Sequence, residues 1–162
     1  MSNDFYMAFI LPYAPIIIKI CRAYSNSQED FEDFYQEVCL QIWKSRDNFR
    51  EESKWSTWIY RLSLNVCLSL IKKNGKQQCA TSDHIPDVVM EDSQVFDDDA
   101  LNHLYAAIKQ LSEIDRAVIL LYLEQKSYQE IADIIGSNPN NIGVRIKRIK
   151  ERLKKILDGK IN

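Results

Sequence analysis

Apolar residues in the stretch 127–153 recur every three or four positions, in two runs separated by a short polar break. The first run contains Ile131, Ala132, Ile134 and Ile135, and the second contains Ile142, Ile146, Ile149 and Leu153. Each run predicts an amphipathic helix with one buried side. Ser127 and Glu130 have the spacing of a capping box, which marks the start of the first helix.

The break between the two runs has the residues of a tight turn. Gly136 predicts a left-handed stop to the first helix. Asn138 is a good N-cap, and Pro139 fits the first position of the second helix. The second helix should expose a polar and basic side made of Asn140, Asn141, Val144, Arg145, Lys147 and Arg148. This pattern is typical of a helix-turn-helix, whose second helix enters the major groove of DNA.

An ordinary helical hairpin with a solvated basic side would share much of this pattern. The charge distribution favours DNA instead. Residues 140–160 contain eight Lys or Arg and two acids, a surplus of six in a chain whose net charge is −2. A basic cluster in an acidic chain indicates local contact with phosphate.

The rest of the chain predicts more helices and no sheet, because it has only four Gly and four Pro in 162 residues. We expect an all-α protein. The predicted helices span 4–24, 30–43, 54–73 and 101–111, and a further helix is capped by Ser112. The first is interrupted near Pro12 and Pro15 and packs through Phe9, Ile16, Ile17 and Ile20. The second buries Phe31, Phe34, Val38 and Ile42, and helix 101–111 has Leu101, Leu104, Tyr105, Ile108 and Leu111 inward.

The predicted helix 54–73 has two chemically different sides. Lys54, Arg61, Asn65 and Lys72 fall on one stripe, and the separate apolar side consists of Trp55, Ile59, Leu62, Val66 and Leu70. Trp58 lies at the border. Aromatic rings beside cations are used to stack unpaired bases. Core filling is the alternative for both tryptophans, and we favour it for Trp55 and leave it open for Trp58.

A change of composition separates two helical regions. Asn74 and Gly75 should end the preceding helix. Residues 83–99 contain seven acids and no Lys or Arg, which predicts a flexible acidic linker. We therefore expect two small helical domains, 1–75 and 101–162, joined by the linker 76–100.

Several functional classes find no support in the sequence. The four cysteines, at positions 21, 39, 67 and 79, show no metal-ligand spacing and suit buried, reduced thiols. We see no phosphate loop and no nucleophile–base pair, and so expect neither catalysis nor a cofactor. The apolar run Phe9–Ile20 is short and interrupted by prolines, so we expect a cytoplasmic protein without membrane insertion.

Two separated motifs resemble one family. DFEDFYQEVCLQIW (30–43) followed by FREESKWSTWIYRLSLN (49–65) is similar to region 2 of small bacterial sigma factors. SYQEIADIIG (127–136) and NNIGVRIKRIKERL (140–153) are similar to region 4. Together they resemble a sigma-70-family factor of the extracytoplasmic-function (ECF) type. Gly143 departs from the family, which often has Lys there, and removes one phosphate contact.

The resemblance implies a role in transcription initiation, with core RNA polymerase (β′ clamp helices and β flap), promoter DNA and an anti-sigma factor as partners. The residues implied to bind polymerase are Asp30, Asp33, Gln36 and Glu37. Those implied to bind the melted minus-ten strand are Phe49, Lys54, Trp58, Arg61, Asn65, Lys72 and Lys73. Those implied to read the minus-thirty-five duplex are Pro139, Asn140, Asn141, Val144, Arg145, Lys147 and Arg148. A stand-alone helix-turn-helix regulator of operator DNA is the alternative.

Overall fold

The computed structural model describes residues 3–50, 54–80 (residues 75–80 as backbone only) and 99–159. The chain divides into two compact units, Met1–Ser93 and Gln94–Asn162. Across the described ranges the secondary structure is helical, with no strand. The expected all-α fold class is confirmed. The predicted acidic linker lies largely in 81–98, outside the described residues.

The first unit is built on three long helices. Its elements in order are α1 (Asn3–Phe5), a π-helical turn (Tyr6–Ile10), a 3-10 turn (Leu11–Tyr13), α2 (Ala14–Tyr24), α3 (Gln28–Ser45), a second 3-10 turn (Arg46–Asn48) and α4 (Trp55–Ala80). Helices α2, α3 and α4 pack against one another.

The N-terminal segment changes helix type before α2, as the prolines predict. Pro12 and Pro15 have no N–H to donate, so a regular α-helix cannot continue through them. Helix α2 then buries Ile16, Ile17 and Ile20. Phe9 is 48% exposed and packs on the Phe5 and Trp55 rings instead of among these three isoleucines.

The first unit also contains a segment with membrane-like composition. Asn3–Tyr24 has 22 residues and contains an 18-residue window with a mean hydropathy of 1.5, enough by length and composition to cross a membrane. The sequence analysis considered only the apolar run Phe9–Ile20, which is shorter than this segment. However, α2 packs against α3 and α4 and has eight buried residues, including Arg22. The segment therefore supplies the core helix of this unit.

Helix α3 follows its predicted pattern. Ser27 caps it by accepting a hydrogen bond from the Asp30 N–H at 3.1 Å. The side chains predicted to be inward are buried, namely Phe31, Phe34, Val38 and Ile42. The acidic residues fall on the opposite, more exposed side.

Helix α4 buries a side that is shifted from the predicted one and shares only Ile59 with it. Its buried side chains are Ile59, Tyr60, Ser63, Leu64 and Cys67. Leu62, Val66 and Leu70, expected at the centre of the apolar side, are partly exposed and line a cleft. The helix has apolar residues around most of its circumference, so the packing of α2 and α3 decides which side is buried. Its predicted end at Gly75 is also wrong, because α4 continues to Ala80. One Gly costs a helix only about 1 kcal/mol.

Buried thiols contribute to the core of this unit. Cys21, Cys39 and Cys67 are buried and free, which confirms the prediction for these three. The Sγ atoms of Cys21 and Cys67 lie 4.0 Å apart. Hydrogen bonding to Cys67 and burial raise the pKa of Cys21 well above its usual range. Burial raises the pKa of Cys39 to about 11. Cys21 and Cys39 are therefore protonated at neutral pH, and a protonated thiol is a poor nucleophile.

Within residues 99–159, the described part of the second unit, there are four helices: α5 (Asp99–Ile108), α6 (Glu113–Leu123), α7 (Tyr128–Ile135) and α8 (Pro139–Leu157). Ser112 caps α6 as predicted, accepting from the Asp115 N–H at 3.2 Å. The core includes Tyr105, Ile108, Leu111 and residues 117–121. Leu101 was expected inward but is 38% exposed, because it lies in the first turn of α5.

Candidate nucleic-acid interface

Hydrogen bonds define the turn between α7 and α8. The Ser127 Oγ accepts from the Glu130 N–H at 3.0 Å, and the Glu130 carboxylate accepts from the Ser127 N–H at 2.9 Å. Gly136 has φ +89°, the left-handed conformation that ends α7. The Asn138 Oδ1 accepts from the Asn141 N–H at 2.9 Å and caps α8. All of these local predictions are confirmed.

Helix α8 separates its two sides cleanly. Ile142, Ile146, Ile149 and Leu153 are buried, and α6 and α7 pack on this side. The predicted DNA-facing residues are exposed, except for the half-buried Pro139: Asn140, Asn141, Val144, Arg145, Lys147 and Arg148. Val144 is 52% exposed and is an apolar surface amid polar neighbours. Such a helix can offer hydrogen-bond donors to base edges and an apolar contact to a thymine methyl group.

Two basic side chains of α8 have partners on α6 that the sequence analysis missed. Arg145 Nη1 lies 2.7 Å from Asp115 Oδ1. Lys150 Nζ donates to Tyr122 Oη at 2.6 Å and lies 4.4 Å from the centre of the Tyr122 ring. The hydrogen bond raises the pKa of Lys150. The paired residues lie 30 and 28 positions apart in the chain, so the spacing of residues within one helix does not predict these pairs.

Gly143 lies beneath an aromatic ring of α7. A Cβ atom at this position would stand 3.2 Å from Cε2 of Tyr128. The Tyr128 side chain is 42% exposed and can move. Because Gly143 has no side chain, the Tyr128 ring can lie close to α8.

We expect Gly143→Ala to raise the free energy of unfolding by about 0.5–1 kcal/mol, because Ala has less backbone entropy to lose in a helix. The exposed Tyr128 ring shifts by a few tenths of an ångström to accommodate it. The contrasting variant is Gly136→Ala, which meets open space but must adopt φ +89°. It should destabilise by about 1–2 kcal/mol. Urea midpoints of the full chain measure both, and equal signs would contradict the prediction.

An aromatic cluster in the first unit surrounds the start of α4. The Trp55 and Trp58 rings stack with centroids 4.9 Å apart and 30° between their planes. Phe49 meets Trp55 edge-on at 5.1 Å and Trp58 at 5.7 Å. Both tryptophans are half-buried, so Trp55 is less enclosed than its predicted place in the core implies.

The N-terminal segment holds this cluster from one side. The Trp55 indole N–H donates to the backbone carbonyl of Phe9 at 2.9 Å. The Phe9 ring lies 5.7 Å from the Trp55 ring, and the Phe5 ring 6.4 Å from it. These contacts hold the Trp55 ring in one orientation. Because the Trp58 ring stacks on Trp55, its orientation is held as well. The sequence analysis did not connect these residues, which lie 46 positions apart.

A cleft of about 580 Å³ lies between α3 and a side of α4 that carries both polar and apolar residues. Of the residues predicted to bind the melted strand, Trp58, Arg61, Asn65 and Lys73 line it. Lys54 and Lys72 are exposed and lie outside its lining, and Phe49 touches Trp58. The opposite wall was not foreseen and consists of Glu37, Gln41, Ser45 and Asn48. A ring, two cations and several amides can together hold a base and its phosphate.

The four residues predicted to bind polymerase lie around one cavity. Asp30, Asp33, Gln36 and Glu37 line a hollow of about 340 Å³ with Phe34, Leu40, Leu70 and Asn74. Leu40 is 37% exposed and gives the hollow an apolar part. Gln41 Nε2 donates to Glu37 Oε2 at 2.8 Å and orients that carboxylate. This acidic hollow suits a basic, partly apolar protein surface.

Neither unit offers a metal centre within the part of the chain that the structure describes, where no group of three His, Cys, Asp or Glu side chains could hold an ion. A capped helix-turn-helix with an exposed basic helix, and an aromatic cleft lined by cations, are features of a nucleic-acid-binding protein with two binding regions.

Comparison with known families identifies the class. The family model for Sigma-70 region 2 matches residues 9–77, and the model for Sigma-70, region 4 matches residues 101–153. The two matches fall in the first and second units respectively. The chain belongs to the sigma-70 family of RNA polymerase sigma factors, of the ECF type.

Individual relatives agree with this assignment. The chain is 27% identical to the ECF RNA polymerase sigma factor SigW of Bacillus subtilis, over 96% of this chain and 90% of that protein. It is 26% identical to the ECF RNA polymerase sigma factor SigE of Mycolicibacterium smegmatis, over 90% of this chain and 58% of that protein. It covers 46% of SigG of Mycobacterium tuberculosis. The chain thus spans about half the length of SigE and SigG.

Solved structures share the fold. The sigma factor RpoE, solved with the anti-sigma factor NepR from Bartonella quintana, matches with a TM-score of 0.78 and 24% identity, over 97% of this chain and 98% of that one. CnrH, solved with the cytosolic domain of CnrY, matches with a TM-score of 0.71 and 17% identity, over 98% and 90%. At these identities the likeness supports the fold.

Proposed function

We propose that this chain is a sigma factor that binds core RNA polymerase and directs promoter recognition, strand opening and transcription initiation. One observation carries the proposal: in a sigma-70-family chain, the second unit exposes the polar and basic side of α8, and the first unit has a cleft lined by Trp58, Arg61 and Lys73. The exposed side of α8 suits duplex DNA, because a helix fits the major groove. The cleft beside Trp58 suits an unpaired strand, because rings stack on bases once they leave the duplex.

The predicted residues have different roles in DNA binding. Asn140, Asn141, Val144 and Arg145 contact base edges of the minus-thirty-five element, and Lys147 and Arg148 contact phosphate, with Pro139 at the start of the helix. Phe49 and Trp58 stack on minus-ten bases. Lys54, Arg61, Asn65, Lys72 and Lys73 hold that strand. Phosphate contacts supply affinity, and base contacts supply promoter choice.

Protein partners use the acidic hollow and further surfaces. Asp30, Asp33, Gln36 and Glu37 dock on the β′ clamp helices, and the second unit meets the β flap. One structural neighbour, the sigma factor RpoE, was solved with the anti-sigma factor NepR. By analogy, an anti-sigma factor restrains this chain. The chain acts in the cytoplasm and has no catalytic activity of its own, since sigma factors are not enzymes and the polymerase performs the chemistry.

A stand-alone regulator of operator DNA is not favoured. It would use the helix-turn-helix without needing the region 2 surfaces of the first unit. Run-off transcription with core polymerase on a promoter library tests the proposal and yields the promoter sequence. Duplex binding by the free chain, compared with binding after core polymerase is added, separates the two functions. Tight binding without polymerase, together with no promoter-specific transcript, would overturn the sigma-factor assignment.

Within this function, Trp55 orients the ring that stacks on the melted strand. We expect Trp55→Phe to reduce promoter opening about 2–10-fold, because it deletes the indole N–H bound to the Phe9 carbonyl, a hydrogen bond worth about 0.5–1.5 kcal/mol. Permanganate reactivity of the promoter measures opening. The control is Trp43→Phe, which keeps a ring against Phe5 and leaves the indole N–H of Trp55 bound to the Phe9 carbonyl. Equal opening by both variants would contradict the positioning role.

A further inference from the structure

We propose that Asp115 is a positioning and specificity residue for promoter reading: its carboxylate holds the Arg145 guanidinium and suppresses non-specific phosphate binding. This inference rests on the proposed function, since it concerns how α8 distinguishes a promoter from other DNA. Asp115 belongs to α6, outside the helix-turn-helix pair, and neither the motif nor the basic patch indicates it.

The carboxylate of Asp115 stands on a well-defined turn. Asp115 lies in the first turn of α6, and its own N–H donates to the Ser112 cap at 3.2 Å. Its side chain is 26% exposed, against 45% for Arg145. The Asp115 Oδ1 accepts from Arg145 Nη1 at 2.7 Å. A guanidinium has five N–H donors in one plane, so a partner on one nitrogen orients the plane and leaves other donors to the ligand.

Folding stability does not explain why Asp115 is paired with Arg145. Exposed ion pairs contribute little to folding, because water screens the attraction. The location of the pair is more informative, because Arg145 lies among the exposed residues of α8 and an acid beside it opposes the approach of phosphate. Affinity for a base edge depends on correctly directed hydrogen-bond donors, whereas affinity for a phosphate depends on net positive charge. Neutralising Arg145 while fixing its plane therefore weakens non-specific binding more than it weakens promoter binding.

The test compares holoenzymes containing the wild-type chain or Asp115→Asn. Each is titrated with promoter duplex whose upstream element is intact or scrambled, at several salt concentrations, under conditions that keep the complex closed. We expect Asp115→Asn to bind the scrambled duplex about 3–10-fold more tightly at low salt. The slope of log affinity against log salt should steepen by about 0.9, the value for one added phosphate contact. The ratio of intact to scrambled affinity should fall.

Two variants separate this role from a general charge effect. Glu113→Gln removes the same charge from the same turn of α6 and should leave the salt slope and the affinity ratio near wild type. Asp115→Glu keeps an acid beside Arg145 and should keep the wild-type ratio. In an Arg145→Ala background, Asp115→Asn should have no further effect on either quantity, because the cation that it releases is absent.

The outcomes are distinguishable. If Asp115→Asn changes neither the slope nor the ratio, or weakens both duplexes equally, Asp115 is only a structural residue and the inference is wrong. If Glu113→Gln reproduces the effect, the cause is general charge, and the inference is again wrong. If the wild-type holoenzyme itself does not distinguish intact from scrambled elements, the proposed function of α8 fails, and the inference fails with it.

Discussion

Reversing the acidic hollow of α3, by Asp33→Lys together with Glu37→Lys, is expected to weaken binding to core RNA polymerase by about 2–5 kcal/mol, the range for breaking desolvated charge pairs at an interface. Asp33 is exposed and Glu37 is half-buried, and both line the hollow with the exposed Leu40. Neither belongs to the buried core of the unit, so the helical fold should persist. Competition with the wild-type chain for core polymerase measures the loss.

The matched control carries the same change of charge elsewhere on the unit. Glu32 and Asp47 are exposed and lie outside the hollow. Glu32→Lys with Asp47→Lys should bind core polymerase nearly as well as the wild type, apart from a small effect of long-range charge that added salt removes. If both double variants lose the same affinity, net charge and not the hollow governs docking. If neither loses affinity, the docking assignment is wrong.

The second large effect separates duplex reading from strand capture. Arg145→Ala should weaken the closed complex by about 1–3 kcal/mol if the side chain contacts a base. Trp58→Ala should leave the closed complex nearly unchanged but impair opening, since stacking is worth about 1–3 kcal/mol per base. Gel assays on promoter duplex measure the first effect, and permanganate footprinting measures the second. A pre-melted bubble template should rescue Trp58→Ala and not Arg145→Ala.

Conservative variants show whether each effect belongs to the interface. Trp58 is half-buried and stacked on Trp55, so its removal could disturb the unit. Trp58→Phe keeps a ring and should keep much of the opening activity, with an unchanged circular dichroism spectrum. Lys154→Ala removes an exposed cation from the last turn of α8 and should affect the closed complex less than Arg145→Ala. Rescue of both Trp58→Ala and Arg145→Ala by the bubble would contradict the division of roles.

The parts of the structure that sequence predicts well are those set by near neighbours in the chain. The capping box of Ser127 and the left-handed Gly136 depend on a few adjacent residues, so their geometry follows from residue type. The buried stripe of α8 is equally local, because its apolar residues occupy one side and polar residues the other. These features delimit the proposed duplex-reading helix.

Tertiary packing determined what the sequence analysis missed. Helix α4 has two apolar sides of similar character, and its neighbours bury the side with Leu64 and Cys67 instead of the one with Val66. The Trp55–Phe9 and Arg145–Asp115 pairs join residues 46 and 30 positions apart. Periodicity along one helix contains no information about such partners. The walls of the α3–α4 cleft were therefore only half predicted.

The separation of the two sides of α8 also bears on how promoter preference can change. The side chains that hold α8 in its unit, such as Ile142 and Ile146, are not among those exposed for DNA, such as Asn140 and Val144. Substitutions at exposed sites usually alter stability by no more than about 0.5 kcal/mol. Mutational drift, or a randomised library at these exposed positions, can therefore sample new promoter preferences at almost constant stability, so the same scaffold can evolve toward a different regulon.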